Sequence, residues 1–115
     1  MATKQQVEAK LRALIRRLEA AEEGKEALAR ALPQTRVIQV EVPDLGQTYW
    51  TELSAGRMGK LRKGQSPGPD IRIRADSDEL IHMVDGTRSL FSSYIGGRVK
   101  IEASFADLMR LRKLA

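Results

Sequence analysis

The sequence contains no cysteine, a single histidine and no long apolar run, and each shortage excludes a class of function. Without cysteine, neither a disulfide framework nor a thiolate zinc site can form, and a reducing cytoplasm is the expected compartment. His82 has no second histidine with which to share a metal. No stretch approaches the roughly 18 consecutive apolar residues of a membrane-spanning helix. We therefore expect a cytoplasmic protein with no metal, no cofactor and no membrane span.

Motifs for catalysis are missing as well. The serines that follow His82 lack the glycine pattern of a nucleophile elbow, so a serine triad is not expected. Asp76, Asp78 and Glu79 could suggest a cation site, but the calcium-loop pattern of alternating acids, a glycine and a distant glutamate is incomplete, and capping of a helix explains them more simply. The sequence therefore predicts a protein that is not an enzyme.

Length and composition favour one domain spanning residues 1–115. The chain has 115 residues, of which 42% are hydrophobic, enough for one core and too few for two ordinary domains. The formal net charge of +5 is spread along the sequence instead of forming a basic block. Nucleic acid is therefore not an expected partner.

An amphipathic helical segment occupies residues 1–32. Gly24 interrupts the pattern and Pro33 ends it, so we expect a long helix followed by a short one. This segment can lie on its own sheet, or it can pair with a second copy in a homodimer. The apolar stripe consists of Val7, Leu11, Leu14, Leu18, Ala21, Leu28 and Leu32, with Ile15 beside it.

Alternation of apolar and polar residues predicts strands on both sides of a glycine- and proline-rich loop at 63–69. Helix-capping residues follow the fourth strand: Asp76 with Glu79 forms a capping box, Thr87 caps a second helix and Ser104 a last one. Gly96 and Gly97 end the second helix. The expected strands are 36–42, 47–53, 57–62, 71–75 and 98–103.

Four short motifs occur in an order and with a spacing that resemble those of the sterol carrier protein type 2 family. They are Tyr49-Trp50-Thr51-Glu52-Leu53 with Gly56, Pro69-Asp70, the acidic start at 76–79, and Tyr94 before the strand from Gly97 to Ile101. The resemblance covers most of the chain after the first helix.

This resemblance implies an α+β fold in the order α-β-β-β-β-α-α-β-α. A mostly antiparallel sheet of five strands would be covered on one face by helices. An apolar cavity between the two layers would bind a lipid, sterol or fatty acyl chain without catalysis. The protein would then act as a carrier, as a sequestering module or as the lipid-presenting partner of an enzyme.

The apolar sides of the C-terminal helices supply the candidate cavity lining. Each of these side chains can equally be ordinary core packing, because apolar helix faces commonly fill a core. Tyr94 has the added feature of a hydroxyl that could meet a ligand headgroup. The candidates are Met83, Val84, Leu90, Phe91, Tyr94, Ile95, Phe105, Leu108 and Met109.

A second hypothesis places a protein or nucleic-acid interface on the outer face of the sheet. A tryptophan among basic side chains can stack on a base or anchor a partner, and it can also be ordinary cation–π packing. This face would carry Trp50, Arg72, Arg74, Arg98 and Lys100. Part of its positive field would be neutralised by Glu41, Glu52 and Glu102.

Overall fold

The computed structural model describes residues 2–20, 26, 29–30 and 34–114. Its helices are α1 (Lys4–Ala20), α2 (Ser77–Val84), α3 (Leu90–Ile95) and α4 (Phe105–Leu114). Its strands are β1 (Arg36–Val42), β2 (Gln47–Ser54), β3 (Arg57–Met58), β4 (Arg62–Lys63), β5 (Ile71–Ala75) and β6 (Val99–Glu102), with a 3-10 turn at Pro43–Leu45. The break expected at Gly24 lies outside the described residues. Of the short helix expected after it, residues 26 and 29–30 are described and are helical.

The strands form one mixed sheet in the order β3-β2-β1-β5-β6, with β4 also paired to β2. Strands β1 and β2 are antiparallel, as are β5 and β6, whereas β1 and β5 run parallel. The apolar residues of each strand alternate toward the helices, which cover one face. This architecture confirms the α+β fold with a mostly antiparallel sheet.

The third strand expected at residues 57–62 is divided into β3 and β4. Met58 pairs with Leu53, and Arg62 pairs with Trp50. Four residue steps along this edge, from 58 to 62, therefore lie opposite three along β2, from 53 to 50. The extra residue makes a β-bulge, which bends an edge strand. Within it, the Gly59 N–H donates to the Glu52 carbonyl at 2.8 Å. The sheet therefore has six strands instead of five, and its outer edge is kinked.

The expected capping box at the start of α2 is wrong. Asp76 has the extended backbone of an N-cap residue, but its side chain makes no capping hydrogen bond. The carboxylate of Asp44 takes its place from the 3-10 turn. The Ser77 N–H donates to Asp44 Oδ1 at 2.9 Å and the Ser77 hydroxyl donates to Oδ2 at 2.6 Å. A residue distant in sequence thus satisfies the first free N–H of α2.

The expected cap at Thr87 is also displaced. The Ser92 N–H donates to the hydroxyl of Ser89 at 3.0 Å, so Ser89 caps α3. Thr87 instead donates its hydroxyl to the carbonyl of His82 at 3.0 Å, at the end of α2. The connection between the two helices is therefore closed at both ends by hydroxyl groups.

Helix α4 begins as the sequence predicts, with Ser104 accepting from the Asp107 N–H at 3.1 Å. The buried Asp107 carboxylate also accepts from Arg36 Nε at 2.9 Å and from Arg110 Nη1 at 3.1 Å. Burial opposes its ionisation, but these hydrogen bonds outweigh burial and lower the pKa of Asp107. Arg36 thereby joins the start of β1 to α4.

Polar contacts join α1 to α2 above the core. Lys10 Nζ lies 2.7 Å from Asp85 Oδ1, and Arg17 donates to the Val84 carbonyl at 2.8 Å. The buried apolar residues beneath are Ala2, Val7, Leu11, Val42, Tyr49, Leu53, Ile71, Ala75, Leu80, Val84, Val99 and Ile101.

Candidate ligand-binding cavity

An apolar cavity of about 530 Å³ lies between the sheet and the helices α1 and α2, partly open to solvent. Its walls come from α1, the helix-facing side of the sheet, the β3–β4 edge and the connection after α2. The lining residues are Leu11, Leu14, Ile15, Ile38, Val40, Trp50, Thr51, Leu53, Met58, Leu61, Ile73, Leu80, Met83, Val84, Gly86, Arg88, Ser89 and Leu90.

The floor of this cavity is formed by the central strands. Ile38, Val40 and Ile73 face the helices from β1 and β5, yet all three are only partly buried. Protein interiors are close-packed, so apolar side chains at the centre of a covered sheet normally reach full burial. Their residual exposure is explained by the open space above them.

Helix α1 accounts for that space. Val7 and Leu11 are buried against the core, whereas Leu14, Ile15 and Leu18 are only partly buried along the same stripe. Residues three and four apart share one helix face, so this stripe is buried near the start of α1 and less buried further along. Leu14 and Ile15 line the cavity, which explains their incomplete burial.

An ion cluster lies at the end of the cavity near α3. Arg88, a lining residue, is paired with the buried carboxylate of Glu79. Glu79 also accepts from the Ser93 hydroxyl at 2.9 Å and lies 3.4 Å from Arg98 Nε. Burial opposes ionisation, but these partners outweigh it and hold the pKa of Glu79 below its ordinary value. Glu79 therefore joins α2 to α3 and to Arg98, the residue before β6, instead of completing a cap.

A second buried carboxylate lies beneath α1. The Tyr49 hydroxyl donates to Glu8 Oε2 at 2.9 Å, and Lys63 Nζ lies 3.3 Å from Glu8 Oε1. Burial and the bond to Glu8 raise the pKa of Tyr49 to about 12. Burial opposes ionisation of Glu8, but the Tyr49 and Lys63 bonds prevail and lower its pKa. This group fastens α1 to β2 and β4.

Three of the nine residues expected from the sequence line this cavity. They are Met83, Val84 and Leu90. Ile95 and Phe105 instead expose 71% and 76% of their surface. The Phe91 and Tyr94 rings lie 6.0 Å apart between centroids. Leu108 and Met109 are partly buried on α4, away from the cavity lining. That any of the nine contacts a ligand stays a prediction.

The lining residues of α1 and the sheet are not among the ligand contacts that the sequence predicts. Leu14 and Ile15 were visible in the sequence as a widened apolar stripe, which by itself indicates only a face that packs on something. Val40 and Ile73 were visible as inward strand positions. The missing information was the distance between the two layers, which periodicity does not report.

The outer face of the sheet differs from the basic platform expected of it. Arg62 lies 5.4 Å from the Trp50 ring centroid, and Trp50 also borders the cavity. Gln39 separates Trp50 from Arg72 in the strand register. The Ser66 N–H donates to the Gln39 side chain at 2.8 Å, so the loop after β4 covers part of this face.

Arg98 does not join that face. Its guanidinium lies against Gly96 and points to Glu79. Arg74 and Lys100 do stand side by side in the register, with Glu41 opposite Arg74 on the other neighbouring strand. The expected cluster is therefore divided between two parts of the surface.

Within the described residues, no group of three or more His, Asp or Glu side chains is placed to hold a metal ion. None of the described helices is long and apolar enough to span a membrane. At the start of α2, the carboxylate of Glu79 is already bound by Ser93 and Arg88.

A mostly antiparallel sheet, helices over one face and an apolar cavity between them define an α+β lipid-binding fold. The chain belongs to the SCP-2 sterol transfer family, whose sequence model matches residues 11–115. Binding and transfer of lipids or sterols is the general property of this family. The resemblance stated from the sequence motifs is confirmed.

Solved structures share this fold over nearly the whole chain. Sterol carrier protein 2 like 2 from Aedes aegypti is 11% identical with a TM-score of 0.67, covering 97% of this chain and 98% of that one. A ubiquinone synthesis protein, UbiJ-SCP2, is 19% identical with a TM-score of 0.65, covering 99% of this chain and 92% of that one. At identities this low, the structural likeness shows the shared fold alone.

Two further likenesses are partial. The sec-alkylsulfatase Pisa1 from Pseudomonas sp. is 20% identical with a TM-score of 0.58 over 74% of this chain, which spans 13% of that enzyme's length. The tRNA-specific 2-thiouridylase MnmA 2 of Bacteroides fragilis is 40% identical over 44 residues, 38% of this chain and 12% of that protein.

Proposed function

We propose that residues 1–115 form one domain that binds a lipid, sterol or fatty acyl chain in the cavity between sheet and helices, without catalysing a reaction. The observation that carries this proposal is the partly exposed apolar floor at Ile38, Val40 and Ile73 beneath an open space of about 530 Å³. Ligand pockets in proteins commonly enclose about 300–1,000 Å³. The radius of gyration of 13.1 Å supports one compact domain, for which about 13 Å is expected.

The hydrophobic effect is strong enough to hold such a ligand without an ionic contact. Burying about ten methylene groups at about 0.8 kcal/mol each contributes on the order of 8 kcal/mol. Part of this is offset by the loss of translational and conformational freedom on binding. Met58 and Met83 lie in the walls, and the flexible methionine side chain can adapt to ligands of different shape.

A binding domain of this kind can serve as a carrier or can present its ligand to a partner enzyme. The likeness to a segment of a sec-alkylsulfatase and to a ubiquinone synthesis protein supports the second role, since both names associate the fold with an enzymatic process. A homodimer formed through α1 is a further expectation for the same domain. A cytoplasmic location is supported by the absence of cysteine from the sequence.

The proposal is tested by delipidating the protein and recording native mass spectra with a panel of fatty acids, fatty alcohols and sterols. We expect one apolar molecule to bind per chain. Val40→Phe should abolish binding because it fills the floor of the cavity. Val37→Phe is the matched control, since Val37 lies on the same strand and faces the opposite side of the sheet. Absence of any adduct below millimolar concentration would contradict the proposal.

A second pair of variants locates the ligand relative to the C-terminal helices. Met83→Ala removes a lining side chain, whereas Tyr94→Ala removes a side chain of α3 that does not line the cavity. If the ligand lies in the cavity alone, only Met83→Ala should change its dissociation constant. If Tyr94→Ala weakens binding equally, the ligand extends beneath α3, as the sequence-based prediction had it.

A further inference from the structure

Strand β6 forms one edge of the sheet and pairs only with β5. Among the residues that the structure describes, no backbone group of residues 99–102 is hydrogen-bonded to an element other than β5. The opposite edge is bent by the β-bulge between β3 and β4, which discourages a further strand from pairing. The β6 edge has no bulge, because its four residues pair one to one with β5. It is therefore open to a further strand.

The side chains of β6 alternate between the two faces of the sheet. Val99 and Ile101 are buried on the face that the helices cover, whereas Lys100 and Glu102 are exposed on the outer face. A strand that pairs with β6 has to keep this division, because a shift by one residue would bring apolar side chains onto the outer face. It also has to match two charges of opposite sign.

A second copy of β6, running antiparallel, meets both requirements in one symmetric register. In a twofold pair centred on Ile101, Lys100 of each chain lies opposite Glu102 of the other. Centring the pair on Lys100 or on Glu102 would place like charges opposite each other, which is destabilising. Centring it on Val99 would place Arg98 opposite Lys100, with the same effect. Charge thus selects one of the registers that keep the apolar face intact.

The charge of Lys100 is left unbalanced within its own chain. Arg74 lies directly opposite Lys100 in the β5–β6 register, and like charges in directly opposite positions repel. Within the described part of the chain, Lys100 makes no ion pair, whereas Glu102 Oε2 lies 3.8 Å from Arg72 Nη1. The Glu102 side chain is still 76% exposed, so it can also reach Lys100 of a second copy. Pairing of two chains would therefore supply the carboxylate that Lys100 lacks.

We propose that two copies of this chain associate through β6, antiparallel and centred on Ile101, so that their sheets become continuous across a twofold axis. The interface contains two Lys100–Glu102 pairs and is the same on both copies. Strand β6 lies at the other end of the sheet from β3, and none of its residues lines the apolar cavity. The dimer therefore leaves both cavities accessible, and it does not depend on the proposed binding function.

The test is sedimentation equilibrium of the full chain at several concentrations. The wild type should approach twice the monomer mass as the concentration rises. K100E and E102K should each weaken association about tenfold or more, because each places two pairs of like charge across the axis. An equimolar mixture of the two variants should form dimers again, since each introduced charge then meets an opposite charge on the other chain.

K60E and E52K are the matched controls, because they make the same changes of charge at exposed positions away from β6. Both should associate as the wild type does. Hydrogen exchange adds a readout for strand pairing: amides of residues 99–102 should be better protected in concentrated than in dilute wild-type protein, and K100E should lose this difference.

Two results would overturn the proposal. A wild type that stays monomeric at every concentration would mean that Lys100 protects the edge from pairing, as charged residues on edge strands commonly do. Dimers that persist undiminished in both K100E and E102K would place the interface elsewhere, for example on α1.

Discussion

Asp44 stands outside α2 and still binds its first residue through two hydrogen bonds to Ser77. Ser77 is fully buried and also accepts from the Ala2 N–H at 3.1 Å. Hydrogen bonding to Ser77 favours the charged carboxylate; burial opposes ionisation, but the bonds prevail and lower the pKa of Asp44. One side chain thus connects the 3-10 turn, the start of α2 and, through Ser77, the segment before α1.

Asp44→Ala should therefore destabilise the protein as removal of an N-cap does, by about 1–2 kcal/mol. Asp76→Ala is the internal control, because Asp76 has the N-cap position but no capping bond. It should cost less than about 0.5 kcal/mol. Urea unfolding of both variants measures the difference. A larger loss in Asp76→Ala would show that the cap is local after all.

Tyr49 supplies the second prediction at this scale. Its pKa is about 12 in the folded protein against 10.0 ordinarily, first because of burial and then because of its bond to Glu8. The neutral phenol is the form that the fold favours. Its contribution to stability is therefore complete below pH 10 and is lost as the pH rises toward 12.

Comparison with Tyr49→Phe isolates this contribution from the titration of lysines. At pH 7 the variant should lose about 1–3 kcal/mol, as expected for a hydrogen bond to a charged group. The difference in free energy of unfolding between wild type and variant should shrink between pH 10 and pH 12. Denaturant titrations at several pH values measure it. A difference that stays constant over this range would refute the assignment.

At the scale of elements, α4 is joined to the sheet through Asp107. Arg36 reaches it from the start of β1 and is only 18% exposed, whereas Arg110 lies on α4 itself and is 37% exposed. Arg36→Gln should cost about 2 kcal/mol, because it breaks a largely buried contact between two elements. Arg110→Gln should cost less than about 0.5 kcal/mol, since solvent screens the pair. Equal losses in thermal or urea unfolding would contradict this order.

The strands and the start of α4 could be predicted because their signals are local. Alternation over Arg36–Val42 and Ile71–Ala75 identifies half-buried strands. Ser104 directly precedes the apolar pattern of the last helix, where it suits an N-cap. The caps of α2 and α3 could not be assigned in this way. Asp44 binds the N–H of Ser77 from a distant turn while Asp76 makes no capping bond, and Thr87 and Ser89 are both chemically suitable caps. Tertiary contacts decide between them.

The cavity shows the same limit in another form. A sequence reports which side chains face inward, and on this basis it predicts Met83, Val84 and Leu90, which do line the cavity. It does not report whether two inward faces touch. The bulge at Gly59, where one extra residue bends the edge strand, has no hydrophobic signature of its own. This bend in the edge strand therefore becomes visible only in three dimensions.

At the scale of the whole molecule, fold stability and ligand capacity depend on the same incomplete packing. Val7 and Leu11 fasten one end of α1 to the core, while Leu14 and Ile15 stand over open space. Apolar surface that remains uncovered contributes nothing to the stability of the empty protein. A ligand that covers it must raise the stability by the linkage relation.

Addition of palmitic acid at a hundred times its dissociation constant should therefore raise the free energy of unfolding by about 2.7 kcal/mol. For a chain of this size, that corresponds to a rise in Tm of roughly 10 °C. Val40→Phe should show no such rise in Tm. Without ligand, this variant should be as stable as the wild type, or more stable by up to about 2 kcal/mol, because the added ring fills the cavity. Val37→Phe should keep the full rise. Differential scanning calorimetry of the three delipidated proteins measures both effects. If Val40→Phe is destabilised and its Tm still rises with palmitic acid, the ligand does not bind in the space above β1.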